Sequence, residues 1–226
     1  TKDYTQRNQF ILYLPEAKQI SSAELDMADG DISVDGLRSD RIDISVDAGD
    51  IKLLDTESKE IKIASSDGDM AVKDSKLNTV TINDSYGDIK FEDTDIDSGK
   101  ISTNDGDISV KNTNLKGINI TDNYGDIKCN DGSFEDIAVK LNDGDLRLED
   151  TKFDGNIKIK SGYGDVKVIG FDDWKGISVN AKTSYGDVSV KNITDGDKTE
   201  TSFERNIESA TATVEIKCSD GDISIR

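Results

Sequence analysis

A Gly-Asp pair recurs at Gly30, Gly49, Gly68, Gly87, Gly106, Gly125 and Gly144, each nineteen residues after the last. Seven pairs in register exclude coincidence, and a unit this short cannot bury an apolar face by itself, so the units must stack. The series continues at Gly164, Gly186 and Gly221 with spacings of 20, 22 and 35 residues, which places the insertions toward the C-terminal part.

With each Gly as position zero, position +2 reads Ile32, Ile51, Met70, Ile89, Ile108, Ile127, Leu146, Val166, Val188 and Ile223. Position +4 is equally apolar, from Val34 and Leu53 to Val190 and Ile225, whereas +1 is always Asp. Alternation of this kind is the signature of a strand. A second apolar pair follows at +12 and +14, as in Ile42/Ile44, Ile61/Ile63, Val80/Ile82, Ile118/Ile120 and Ile137/Val139, with Leu77, Ile96, Leu115, Phe134 or Phe153 at +9. The expected fold is all-β: a single-chain parallel β-solenoid of about ten coils of roughly 19 residues with capped ends. Right-handed winding follows from the general preference of parallel crossovers. Leu115-x-x-Ile118-x-Ile120-x-x-Asn123 matches the leucine-rich signature, but the alternating Gly-Asp-Ile-x-Val half of each unit is a second strand, not a helical return.

One domain spans 1–226. Residues 1–29 read as an N-terminal cap and degenerate coil, running back through Leu25, Ala23 and Ile20 to Phe10–Leu14 and Pro15. Residues 30–191 hold the Gly-Asp coils, 192–213 an insertion or cap, and 214–226 the final coil. Gly196-Asp197 breaks the pattern because Lys198 and Glu200 occupy its would-be inward positions. A last strand that stops at Arg226 leaves an edge for end-to-end self-association.

Composition narrows the chemistry. The 47 acidic and 28 basic side chains give a formal charge of −19, which disfavours nucleic acid and anionic membrane as partners. The absence of His removes the Ser-His-Asp triad, the Cys-His pair and His-bound zinc or haem. The Phe10–Leu14 run is too short to span a bilayer, and no signal peptide opens the sequence. Cys129 and Cys218 read as core residues about four coils apart, too far for a bridge.

The repeated Gly-Asp-Ile-x-Val, the Leu14-Pro15 segment ahead of the first coil and the closing Val214-x-Ile216-x-x-x-x-Gly221-Asp222-Ile223 resemble the bacterial DUF4097 family, described as adhesins, over roughly residues 10–226. The resemblance implies a surface-exposed or secreted β-solenoid, often attached to a membrane-anchored protein, with no established enzymatic activity; the expected location is extracellular or facing the cell envelope, and the expected partner an unidentified surface protein or polysaccharide. It supplies no catalytic residues.

Two columns are the candidate sites. The +1 aspartates would stack at about 4.8 Å, where like charges cost about 0.9 kcal/mol per neighbour even in water. Relief comes either from backbone amides at the corner, with Lys52, Lys90, Lys128, Arg147 and Lys167 at +3 compensating, or from calcium held between Asp88, Asp107, Asp126 and Asp145. Position −1 alternates as Asp67, Tyr86, Asp105, Tyr124, Asp143 and Tyr163, then breaks step with Tyr185. Tyr86, Tyr124, Tyr163 and Tyr185, with Trp174, form a candidate ligand face, since rings two coils apart suit stacking on sugars. The bland alternative is that the rings only cover the corner glycines. Carboxylate pairs for a polysaccharide lyase or hydrolase need no His, but carboxylates are too abundant here to single out a pair.

Overall fold

A computed structural model describes residues 19–170 and 174–226. Phe10–Leu14, Pro15 and Phe171 lie outside the described residues. Each repeat folds as a short strand and a long one separated by corners, as in Ile51–Leu54 followed by Glu57–Asp67. Consecutive repeats pair in parallel with a nineteen-residue offset, for example Ile51 opposite Met70 and Ile61 opposite Val80. Equivalent positions therefore superimpose. The +2, +4, +9, +12 and +14 columns run through the interior, and Ile61, Val80, Ile89, Phe91, Ile108 and Ile127 are fully shielded from solvent. Burying one such side chain contributes about 1.5–3 kcal/mol, so the stacked columns supply the core no single coil could form.

Two corner chemistries hold the coils. At the Gly-Asp corner, a Cβ on Gly106 would meet the Gly87 carbonyl oxygen at 2.1 Å, and the Gly106 φ of 144° is one that side chains rarely adopt. Glycine is needed there because successive corners nest directly on one another. The second corner lies at +6, where Asp55, Asp74, Asp93, Asn112, Asp131 and Asp150 hold left-handed backbone with φ between 46° and 53°. Short polar side chains tolerate that conformation best after glycine. The next residue points inward as a buried Ser or Thr column, and the hydroxyls of Ser75, Thr94 and Thr113 donate to the carbonyls two residues back at 2.7–2.9 Å.

The stack leaves sequence order beyond Gly164. The strand Val166–Ile169 pairs with Ile223–Ile225, which in turn pairs with Val188–Val190. Likewise Ala212–Asp220 lies between Leu146–Tyr163 and Ile177–Tyr185. The chain makes about eight consecutive turns, skips one level, forms the next, and returns to fill the gap. The expected parallel solenoid holds with a slightly different coil count; the expectation that its last coils follow sequence order is what changes. Ile223–Ile225 is an interior rung, so the idea that it offers a free edge for self-association falls with its position. The outer face of Ile177–Tyr185 is instead covered by Ser202–Arg205, which pairs antiparallel to it. Arg205 fastens this cover by donating to the carbonyls of Trp174 at 2.6 Å and Ile177 at 2.9 Å while pairing with Asp195 at 2.9 Å. Cys129 and Cys218 are free and buried, and register places them three rungs apart, not four.

Candidate functional site

The +1 aspartates form a continuous ladder at the Gly-Asp corner. Each Oδ1 accepts the backbone N–H of the next Asp at 2.8–3.1 Å, through Asp31, Asp50, Asp69, Asp88, Asp107, Asp126, Asp145 and Asp165. The ladder follows spatial order, since Asp222 donates to Asp165 and Asp187 donates to Asp222. Backbone amides thus hold one oxygen of Asp88, Asp107, Asp126 and Asp145. Charge compensation is narrower than the sequence implies. Lys128 sits 3.6 Å from Asp126 and Lys167 sits 3.0 Å from Asp165, whereas Lys90 turns to Glu92 and Arg147 to Glu149. The Asp222 amide, with Lys167, holds the Asp165 carboxyl below the usual carboxylate range. Among the described residues no group of three or more His, Cys, Asp or Glu is placed to hold a metal ion.

Beside this ladder, the −1 column changes character once spatial order replaces sequence order. Register places Tyr86 opposite Asp67, Tyr124 between Asp105 and Asp143, and Tyr163 opposite Asp143. Asp220 of the inserted strand then lies between Tyr163 and Tyr185. The break in the sequence pattern disappears: the column reads Asp67, Tyr86, Asp105, Tyr124, Asp143, Tyr163, Asp220, Tyr185 without a fault. The tyrosines are 57–75% exposed. At twice the strand spacing they recur about every 9.6 Å, and the six rung spacings from Tyr86 to Tyr185 carry the row over about 29 Å.

Two buried acids lie behind the row. Position −3 points inward, and in the first two tyrosine coils it holds Asp84 and Asp122, which are 7% and 1% exposed. Both carboxylate oxygens of Asp84 and the Oδ2 of Asp122 lack a hydrogen-bond partner, as do the hydroxyls of neighbouring Ser65 and Thr103. Asp122 Oδ1 accepts the Tyr124 amide at 3.2 Å. Loss of solvent, reinforced by the nearby Asp69 and Asp67 carboxylates, pushes Asp84 up to about 6. The same cause, reinforced by Asp107 and Asp105, pushes Asp122 up to about 7. Sequence reading missed this column because its Val46, Ser65, Asp84, Thr103, Asp122 and Leu141 share no chemical type. The findable signal was Asp-x-Tyr-Gly-Asp, present twice.

Trp174 leaves the candidate face. It is 3% exposed and packs on Phe153 with ring centroids 6.2 Å apart, so its indole fills the core where the chain skips a level. Two surface hollows lie elsewhere too. One of about 250 Å³ is lined by Asp95, Asp97, Lys116 and Glu135, and another of about 430 Å³ lies beside Asp195, Glu204 and Asn206. Both are shallow, and neither includes a tyrosine of the row.

The family model described as Toastrack DUF4097 matches residues 4–117 and 57–226, which together cover nearly the whole chain. The protein belongs to the Toastrack DUF4097 family. No curated protein and no solved structure matches it. The Toastrack assignment accords with the stacked parallel rungs and is the source of no site residue, so the tyrosine row and the aspartate ladder rest on this chain's own geometry.

Proposed function

We propose that this Toastrack solenoid is a non-catalytic binding scaffold, facing the cell envelope or the exterior, that holds a linear glycan along its tyrosine edge. The observation that carries this reading is the unbroken Asp/Tyr alternation in space. A purely local packing role for the rings would not require the inserted strand to bring Asp220 between Tyr163 and Tyr185. Sugar rings stack their C–H faces on aromatic rings, and in a β-1,4-linked chain the same face returns every second residue. A ridge of evenly spaced rings suits such a polymer, whereas a small substrate needs a concave site that encloses it. An adhesin role would be the cellular expression of the same surface.

The test is affinity electrophoresis through gels containing linear β-linked polysaccharides. Retardation is expected for the intact protein and loss of it for the Tyr124→Ala/Tyr163→Ala variant, whose exposed side chains can be removed without opening the core. Retardation that survives both substitutions, or none in any gel, overturns the proposal. Release of soluble sugar by the pure protein, abolished by one carboxylate substitution, would overturn its non-catalytic part.

A further inference from the structure

The tyrosine edge carries more charge than a neutral glycan can use. Asp105, Asp143 and Asp220 stand exposed between the rings, and the +1 ladder runs alongside them. Among the described residues, the cations within 4.0 Å of this ladder are Lys128 and Lys167, and none lies that close to Asp105, Asp143 or Asp220. Each two-rung period in the middle of the row thus presents one aromatic face and three carboxylates with at most one lysine within 4.0 Å of them, while the exposed lysines Lys140, Lys160, Lys217 and Lys182 form a separate column three residues back along the same strands. A uronic-acid polymer lying directly on the ring-and-carboxylate edge would be repelled by it.

Resting on the glycan reading above, we infer that the ligand is a linear amino-sugar polymer with free ammonium groups, a glucosamine-type β-1,4 chain laid along the solenoid axis. Its ring faces meet Tyr86, Tyr124, Tyr163 and Tyr185 at every second residue. Its ammonium groups meet Asp105, Asp143 and Asp220 in the intervals and the outward oxygens of the ladder beside them. A chain in β conformation keeps poor step with the row, because one face of it recurs about every 6.7 Å. A polyproline-II peptide repeats about every 9.3 Å and is the necessary control.

Isothermal titration of the full chain with a glucosamine hexamer, an N-acetylglucosamine hexamer and a basic proline-rich peptide of equal charge separates the cases. The glucosamine hexamer is expected to bind about tenfold more tightly than the acetylated one, with an advantage that shrinks as salt rises. Asp105→Asn/Asp143→Asn should erase that advantage while leaving acetylated binding intact, and Tyr124→Ala/Tyr163→Ala should abolish both. Equal, tyrosine-dependent binding of the two hexamers overturns the amino-sugar inference but leaves the glycan scaffold standing. Tighter binding of the peptide overturns the amino-sugar inference in favour of a protein partner. Failure of both hexamers overturns the inference together with the reading it rests on.

Discussion

Asp84 and Asp122 set how acidity acts on this protein. Each keeps a proton in the folded chain that the unfolded chain releases near the ordinary aspartate value of about 3.9. Their stabilising share is therefore complete below that value and is lost as pH rises through about 6 for Asp84 and about 7 for Asp122. For Asp122 the full loss, from about 3.9 to about 7, is on the order of 4 kcal/mol. Urea unfolding should accordingly show a protein more stable in mild acid than at mildly alkaline pH, the reverse of ordinary acid denaturation. Repulsion within a chain of charge −19 acts in the same direction, so the decisive comparison is with Asp122→Asn and Asp84→Asn. Both variants should flatten the pH dependence and gain stability at alkaline pH, and an unchanged slope would refute the assignment. These acids were invisible to periodicity because an inward polar position in an otherwise apolar strand looks like a lapse in the pattern. Their link to the site runs through the Tyr124 amide, which Asp122 accepts directly behind an exposed ring.

At the scale of the strand and corner, the repeat was readable almost in full. Apolar columns announce themselves by alternation, and the invariant Gly-Asp announced a corner. The +6 corner was not foreseen, although Asp55, Asp74, Asp93, Asn112 and Asp131 followed by Thr, Ser or Gly stand at a constant offset. Polar residues in a third-charged sequence blend into the background, and only the backbone reveals their left-handed role. The two corner types should respond differently to an added methyl group. Gly106→Ala drives a Cβ into the Gly87 carbonyl and should lower stability by more than about 3 kcal/mol in chemical denaturation. Gly36→Ala has open space around its Cβ and suffers only from its φ of 68°, so about 1 kcal/mol is expected. The aspartate ladder gives a further test. Since amides already hold one oxygen of each carboxylate, calcium and sodium chloride of matched ionic strength should raise the thermal midpoint equally. A shift specific to calcium would mean that the outward oxygens bind metal.

At the scale of the molecule, the order of rungs was the part that sequence reading could not supply. Positions +2 and +4 are apolar in every coil, so any rung can dock on any other, and hydrophobic pattern alone does not say which neighbours which. The one clue was the lapse at Tyr185, where the alternating column seemed to fail. Removing 212–226 should therefore do more than fray an end. It empties a level between Val166–Ile169 and Val188–Val190, strips Ile177–Tyr185 of its parallel partner and leaves the Ser202–Arg205 cover on an unsupported strand. Hydrogen exchange should find Ile177–Tyr185 unprotected in that variant while the turns before Gly164 keep their protection. In the intact protein, the amides of Ala212–Asp220 should exchange as slowly as those of the central rungs. Rapid exchange there would contradict an interior position.

A level filled out of turn also imposes an order of events during synthesis. Residues 177–190 leave the ribosome before 212–225, so the uppermost rungs emerge with nothing beneath them to dock on. Until the later segment arrives, the growing chain presents two facing rows of unpaired backbone groups, one on each side of the vacancy. The solenoid cannot be wound from one end as a spool is. It closes like a clasp, and the tongue of that clasp carries Asp220 into the gap between Tyr163 and Tyr185, so the tyrosine edge is complete only when folding is.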